Sequence, residues 1–176
     1  MFKLPSLYIP KLWFWKGGSL KMTEFTHIDR NGNAHMVDVS AKKETERLAI
    51  AVGEITMSDE CLKMVKQGRH KKGDVLTVAQ VAGVMGAKKT SEMIPMTHNI
   101  NLSHVKVTFE STEHGFICRS EVKCTGQTGV EMEALQSVST ALLTIYDMCK
   151  SIDKKMVIKN IQLLEKHGGK SGDFYF

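Results

Sequence analysis

The run from about Gly129 to Ile152 does most to limit what this chain can fold into. Val130, Leu135, Val138, Leu142, Ile145, Cys149 and Ile152 fall on one stripe at helical spacing, so a long amphipathic helix must lay that stripe against another layer. The flanking sequence offers strands for that layer. Val105, Val107 and Phe109 alternate, Glu113-His-Gly115 makes a turn, and Phe116, Cys118, Ser120, Val122 and Cys124 alternate again, which reads as a hairpin. A last strand runs from about Met156 to Leu164.

Upstream, Leu48, Ile50 and Val52 alternate with Ala49 and Ala51, and Ile55 and Met57 follow Gly53, giving a strand with an expected bulge at the glycine. Ser58 caps a short helix carrying Cys61, Leu62, Met64 and Val65 that closes at Gly68. Asp74 caps a second helix, with Val75, Val78, Ala82 and Met85 as its expected apolar face. Pro95 then ends the helical region in a polar loop, Met96-Thr-His-Asn-Ile-Asn. With the extra helix set aside, the order is β-α-β-β-α-β. That is the ferredoxin-like α+β arrangement, an antiparallel sheet with helices on one face.

A formal charge of +5 raises the question of a nucleic-acid binder. Residues 1–21 hold Lys3, Lys11, Lys16 and Lys21 with no acidic residue, which leaves 20 basic against 19 acidic residues from Met22 onward. A near-neutral body carries no global footprint for a polyanion, though it can concentrate positive charge in one pocket. The apolar stretch Leu4–Trp15 is broken by Pro5, Pro10 and Lys11 and falls short of a membrane span. Residues 1–21 read as a disordered extension and residues 22–176 as one catalytic domain, with no membrane partner. The four cysteines, at 61, 118, 124 and 149, have no C-x-x-C pair and no histidine at zinc spacing. They read as reduced core thiols of a cytoplasmic protein, and no metal site is expected.

Three groups of residues offer chemistry. On the long helix, Glu133, Thr140, Asp147 and Lys150 fall within about 40° of one another, opposite the apolar stripe. Asp147 and Lys150 stand one turn apart, where a carboxylate and an ammonium can share a proton-transfer site or merely form a surface ion pair. The basic run Arg69-His-Lys-Lys72 ends one helix and precedes the next, and reads equally as a phosphate clamp or an exposed loop. Lys88 and Lys89 lie further along the second helix. His98 sits in a loop after Ile94-Pro95, where a ligand could meet it. Gly83-Val-Met-Gly-Ala-Lys-Lys-Thr90 and Gly169-Lys-Ser171 lack the spacing of a nucleotide P-loop.

Read together, these blocks resemble one family. His35-Met-Val-Asp-Val-Ser40, Lys72-Gly-Asp74, Ala79-Gln-Val-Ala-Gly83, Thr128-Gly-Val-Glu-Met-Glu-Ala-Leu135, Thr144-Ile-Tyr-Asp-Met-Cys-Lys150 and Gly168-Gly-Lys-Ser-Gly-Asp-Phe174 are similar, in order, to the signature blocks of the cyclic pyranopterin monophosphate synthases. The resemblance implies a lyase of molybdenum cofactor biosynthesis. Its substrate is 3',8-cyclo-7,8-dihydroguanosine 5'-triphosphate, and its products are cyclic pyranopterin monophosphate and pyrophosphate. It implies no required cofactor, with magnesium only as a companion of the triphosphate.

By the same resemblance, Asp147, Lys72 and Lys150 are the catalytic residues. Met96, Thr97 and His98 form one substrate-binding loop, and Met132 and Glu133 a second segment, with Arg69, Lys88, Glu131 and Lys170 as further pocket contacts. The family commonly reads Pro-Leu-Cys-His-Pro where this chain has Pro95-Met-Thr-His-Asn99, so Thr97 and Asn99 depart from the pattern. The family assembles as hexamers, trimers of dimers with sites at the dimer interface. Glu133 and Asp147 lie about 21 Å apart along one helix, which suits a site shared between subunits. Two other readings remain at this level, a module gripping RNA through Arg69–Lys72 and an inactive scaffold with an altered loop.

Overall fold

The computed structural model describes residues 27–29, 31–68 and 73–176. Residues 1–21, Arg69, His70, Lys71 and Lys72 lie outside the described residues. The chain divides at Val37 and Asp38 into two units. Within the first, Asp29 accepts from the backbone N–H groups of Asn31 and Asn33, and Ile28 bridges to Ala34.

The second unit runs β1 (Thr45–Thr56), α1 (Asp59–Lys66), α2 (Val75–Lys88), α3 (Thr90–Met93), β2 (Leu102–Ser111), β3 (Gly115–Gly126), α4 (Glu131–Cys149), β4 (Val157–His167) and β5 (Phe174–Tyr175). The strands form one antiparallel sheet in the order β2-β3-β1-β4-β5. Its first four strands follow the ferredoxin-like order, and β5 adds an edge strand that sequence periodicity, at two residues, could not register.

The caps sit where side-chain chemistry puts them. The Ser58 hydroxyl accepts from Cys61 N, and the Asp74 carboxylate accepts from Leu76 N and Thr77 N. Gly68, at φ +61°, follows the end of α1. α4 covers the sheet with Val138, Leu142 and Ile145, and Val130 just before it, all fully buried in one core with Ala49, Ala51, Ile55 and Val122. The four cysteines are buried and form no disulfide, and burial pushes the Cys118 thiol up to about 12, so it is an inert core group.

Three expectations need correction. β1 pairs with β3 without interruption through Gly53; a register shift does fall at Gly53, but in the pairing with β4, with a second between Ile50 and Ala51. The extra residues therefore belong to β4, where Asn160 takes a positive φ of 54°. Second, α2 buries Val75, Ala79, Gly83, Gly86 and Ala87 and leaves Val78, Val81 and Met85 exposed. The reason is close approach. A Cβ on Gly83 would stand 3.1 Å from the Ser137 carbonyl, and one on Gly86 only 2.5 Å from the Thr140 hydroxyl. Small residues let α2 lie directly on α4, and the larger apolar ones point away. Third, the residues opposite the apolar stripe of α4 do not share one surface. Thr140 packs on α2 and Glu133 is buried.

Candidate active site

Two cavities adjoin at the end of the sheet where β1 begins and β3 and β4 finish. One, of about 390 Å³, is lined by Lys42, Arg47, Glu131, Lys166, His167 and Lys170 among others. The second, of about 570 Å³, adds Glu46, Lys123 and Asp173, and both share Arg47, Leu48 and His167.

Arg47 was not anticipated from the sequence. It occupies a helix-facing position of β1, two residues before Ala49, and its side chain is buried with Nε donating to the Gly126 carbonyl at 3.2 Å. No carboxylate of the described residues lies within ion-pair distance of it. A buried guanidinium with spare donors and no such counter-ion is costly unless an anion completes it, which makes Arg47 a candidate anion-binding group on this wall. The alternation Arg47, Ala49, Ala51 held the signal, a charge on the buried side of a strand.

Glu131 and Glu133 stand in the first turn of α4, and Glu131 lines the first cavity. Glu131 pairs with Lys166 at 3.2 Å, and its carboxylate folds back over Gly129, where a side chain would collide with it. Glu133 is 3% exposed. Burial raises its carboxyl to about 7, with the charge of Glu131 adding to the rise. A carboxyl poised there exchanges a proton near neutral pH, as general acid–base work requires. The same shift predicts a stability effect. Between about pH 4.5 and about pH 7 the unfolded chain releases this proton while the folded chain keeps it, so stability falls as pH rises through that window and then levels. We expect Glu133→Gln to be the more stable protein at about pH 8, by about 3 kcal/mol at most, and to lose that advantage near pH 4. Urea midpoints at the two pH values provide the check.

The other catalytic candidates stand at the far end of α4. Lys150 Nζ donates to Asp147 Oδ1 at 2.6 Å, and both side chains are largely exposed. The Asp147 carboxylate beside it holds the Lys150 ammonium above its ordinary range. From Glu131 to Asp147 the helix rises about 24 Å. One chain therefore does not bring the pair to the cavity that holds Glu131 and Lys170.

The loop residues Met96, Thr97 and His98 are half-buried, and the Thr97 hydroxyl donates to the Ile94 carbonyl at 2.8 Å, closing a turn after α3. Contacts of Gly83 with Ser137 and Ala141, and of Gly86 with Thr140 and Gln136, show that α2 and α4 run antiparallel. The exposed Lys88, at the end of α2, thus lies toward the end of α4 that carries Met132 and Glu133. Among the described residues no group of three or more His, Cys, Asp or Glu side chains is arranged to hold a metal ion. None of their helices is long and apolar enough to cross a membrane.

These features define a ferredoxin-like α+β protein with a cationic, partly buried cavity beside a carboxyl that titrates near neutrality. Comparison with known sequences places it further. The profile described as MoaC family matches residues 36–169. The chain is 57% identical over 152 residues to the cyclic pyranopterin monophosphate synthase of Desulfitobacterium hafniense, covering 86% of this chain and 93% of that protein. It is 54% identical over 151 residues to the protein of the same name from Peptoclostridium acidaminophilum, covering 86% and 96%. The corresponding Clostridium acetobutylicum protein is 55% identical over 154 residues, covering 85% and 94%. The chain belongs to the MoaC family.

Proposed function

We propose that this chain is a cytoplasmic lyase of molybdenum cofactor biosynthesis that converts 3',8-cyclo-7,8-dihydroguanosine 5'-triphosphate into cyclic pyranopterin monophosphate and pyrophosphate. The observation that carries the reading is Arg47, a buried cation with no counter-ion among the described residues, in the cavity that also receives Lys170 and Glu131. A triphosphate that leaves as pyrophosphate needs such concentrated positive charge, and ring opening and reclosure need groups that move protons. The reading requires no resident cofactor, and magnesium enters only with the triphosphate.

Asp147, Lys150 and Lys72 are the proposed proton-transfer group. Because Asp147 holds the Lys150 ammonium protonated, Lys150 suits the donor role, which leaves Lys72 as the base. Arg47, Lys170, Glu131, Met132 and Glu133 bind substrate at one end of α4, with Lys88, the Met96–His98 loop and Arg69 as further contacts.

A site using both ends of α4 requires a second subunit, in a hexamer built from dimers. The exposed apolar row Val78, Val81 and Met85 on α2, with Leu143 of α4 60% exposed, favours burial against another copy of the chain. The direct test is incubation of the purified protein with the cyclised triphosphate. The reading predicts stoichiometric pyrophosphate and pyranopterin. A folded, assembled protein that forms neither would overturn it.

A further inference from the structure

We propose that His167 is a positioning residue, clasping Glu165 and Asp173 so as to hold the Gly168–Gly172 loop and set Lys170 at the cavity. The proposal rests on the substrate reading above and adds a specific pH-dependent control to it. His167 ends β4. Its Nδ1 lies 3.1 Å from Asp173 Oδ2 and its Nε2 3.3 Å from Glu165 Oε2. A neutral imidazole has one N–H, so two carboxylate partners on opposite nitrogens select the doubly protonated ring. The Tyr175 ring packs edge-on against it, with centroids 5.3 Å apart.

Between His167 and Asp173 the chain makes a short loop whose ends, Gly168 and Gly172, have φ of +85° and +77°. The Gly168 N–H points to Asp173 Oδ1 at 3.4 Å, the Gly168 carbonyl accepts from the Thr45 hydroxyl at 2.8 Å, and Lys166 reaches Ser171 at 3.2 Å. Lys170 itself has no such tether among the described residues, so its place depends on the loop that carries it. Among the described residues, the contact of His167 with Asp173 is the ion pair that spans this loop.

The charges around the ring agree. Asp173 first, then Glu165, hold the imidazolium above its ordinary range. Arg119 on β3 stands 3.6 Å from Glu165 and shares that carboxylate. Glu46 and Arg47 of β1 and Lys123 of β3 line the second cavity with His167, while Lys42, Glu131, Lys166 and Lys170 face it across the first. Because the folded ring is the stronger base, the clasp is complete at low pH and is lost as pH rises through its raised pKa. The loop then keeps only its remaining hydrogen bonds, and phosphate binding by Lys170 weakens in the same window.

The test uses the full chain and two ligands, inorganic pyrophosphate and the cyclised triphosphate, from about pH 6 to about pH 9. The expected result is that pyrophosphate Kd and substrate KM each weaken about tenfold across the window, the effect of losing one charge-assisted contact. His167→Gln should flatten that step, with KM moving more than kcat, and Asp173→Asn should do the same if the first variant folds poorly. Both variants experience the same ionisation of the ligand, so they control for it. A step of equal size in His167→Gln would overturn the proposal, as would a His167 ring that NMR shows titrating at its ordinary value. If pyrophosphate binding follows His167 but the cyclised triphosphate is not turned over, the clasp stands and the proposed reaction falls.

Discussion

Asp147→Asn is expected to lower kcat by about 10²- to 10⁴-fold, the range for losing a positioned acid–base group. Asparagine keeps the shape of the side chain and can still accept a hydrogen bond, so loss of activity would report charge rather than volume. Asp147 is 65% exposed and its ion pair with Lys150 lies at the surface, where such pairs add little to stability. The variant should therefore fold and assemble like the parent. Without the carboxylate, the Lys150 ammonium returns toward its ordinary range, and the basic limb of the kcat profile should move to lower pH. A scaffold that had lost its chemistry would be indifferent to the substitution. So would a module binding polyanions, whose affinity would follow salt rather than Asp147.

Much of the fold was legible because its signals are local. Ser58 and Asp74 cap the helices they precede, and the alternation at Phe116–Cys124 matches the burial of every second residue of β3. What failed was the facing of α2. Sequence periodicity weighs valine and methionine as core and glycine as neutral, whereas helix-to-helix contact here selects Gly83 and Gly86 because nothing larger fits against Ser137 and Thr140. The bulge does fall at Gly53, but the strand that carries its extra residue is β4, which local sequence does not reveal. Gly53 marks a close approach by Val138 and Leu142, whose side chains a Cβ there would meet at 2.8 and 2.9 Å, rather than an extra residue in its own strand.

The site divides along the same line. Asp147 and Lys150 were visible as neighbours because they lie one turn apart, and the structure joins them at 2.6 Å. Glu133 was placed on a polar face, but its burial depends on the sheet and strand ends packed around it, which no helical wheel contains. Arg47 and His167 escaped for the same reason. Each acquires its role from segments far away in sequence, Gly126 for one and Asp173 with Tyr175 for the other. The resemblance supplied the roles of Lys170 and Met96–His98, which geometry within one chain does not connect to Asp147.

That separation leads to the second large effect. If one site takes Arg47 from one subunit and Asp147 from its neighbour, then Arg47→Ala and Asp147→Asn should each be inactive alone and complement each other when assembled together. Random pairing in two-fold dimers leaves about a quarter of the sites with both residues intact, because half the dimers are mixed and each mixed dimer keeps one whole site. Recovery to about a quarter of parental kcat is then expected without selection, rising to about half when only mixed dimers are retained. No such recovery arises if both residues act within one chain, since every chain carries one lesion.

The measurement is pyrophosphate and pyranopterin formation by co-expressed Arg47→Ala and Asp147→Asn chains, each carrying a different affinity tag and purified through both. Activity well above that of either variant alone, with the parental pyrophosphate-to-pyranopterin ratio, is the result predicted by a synthase whose site is shared across the dimer. A doubly tagged, folded assembly no more active than its parts, beside an active parent, would contradict it.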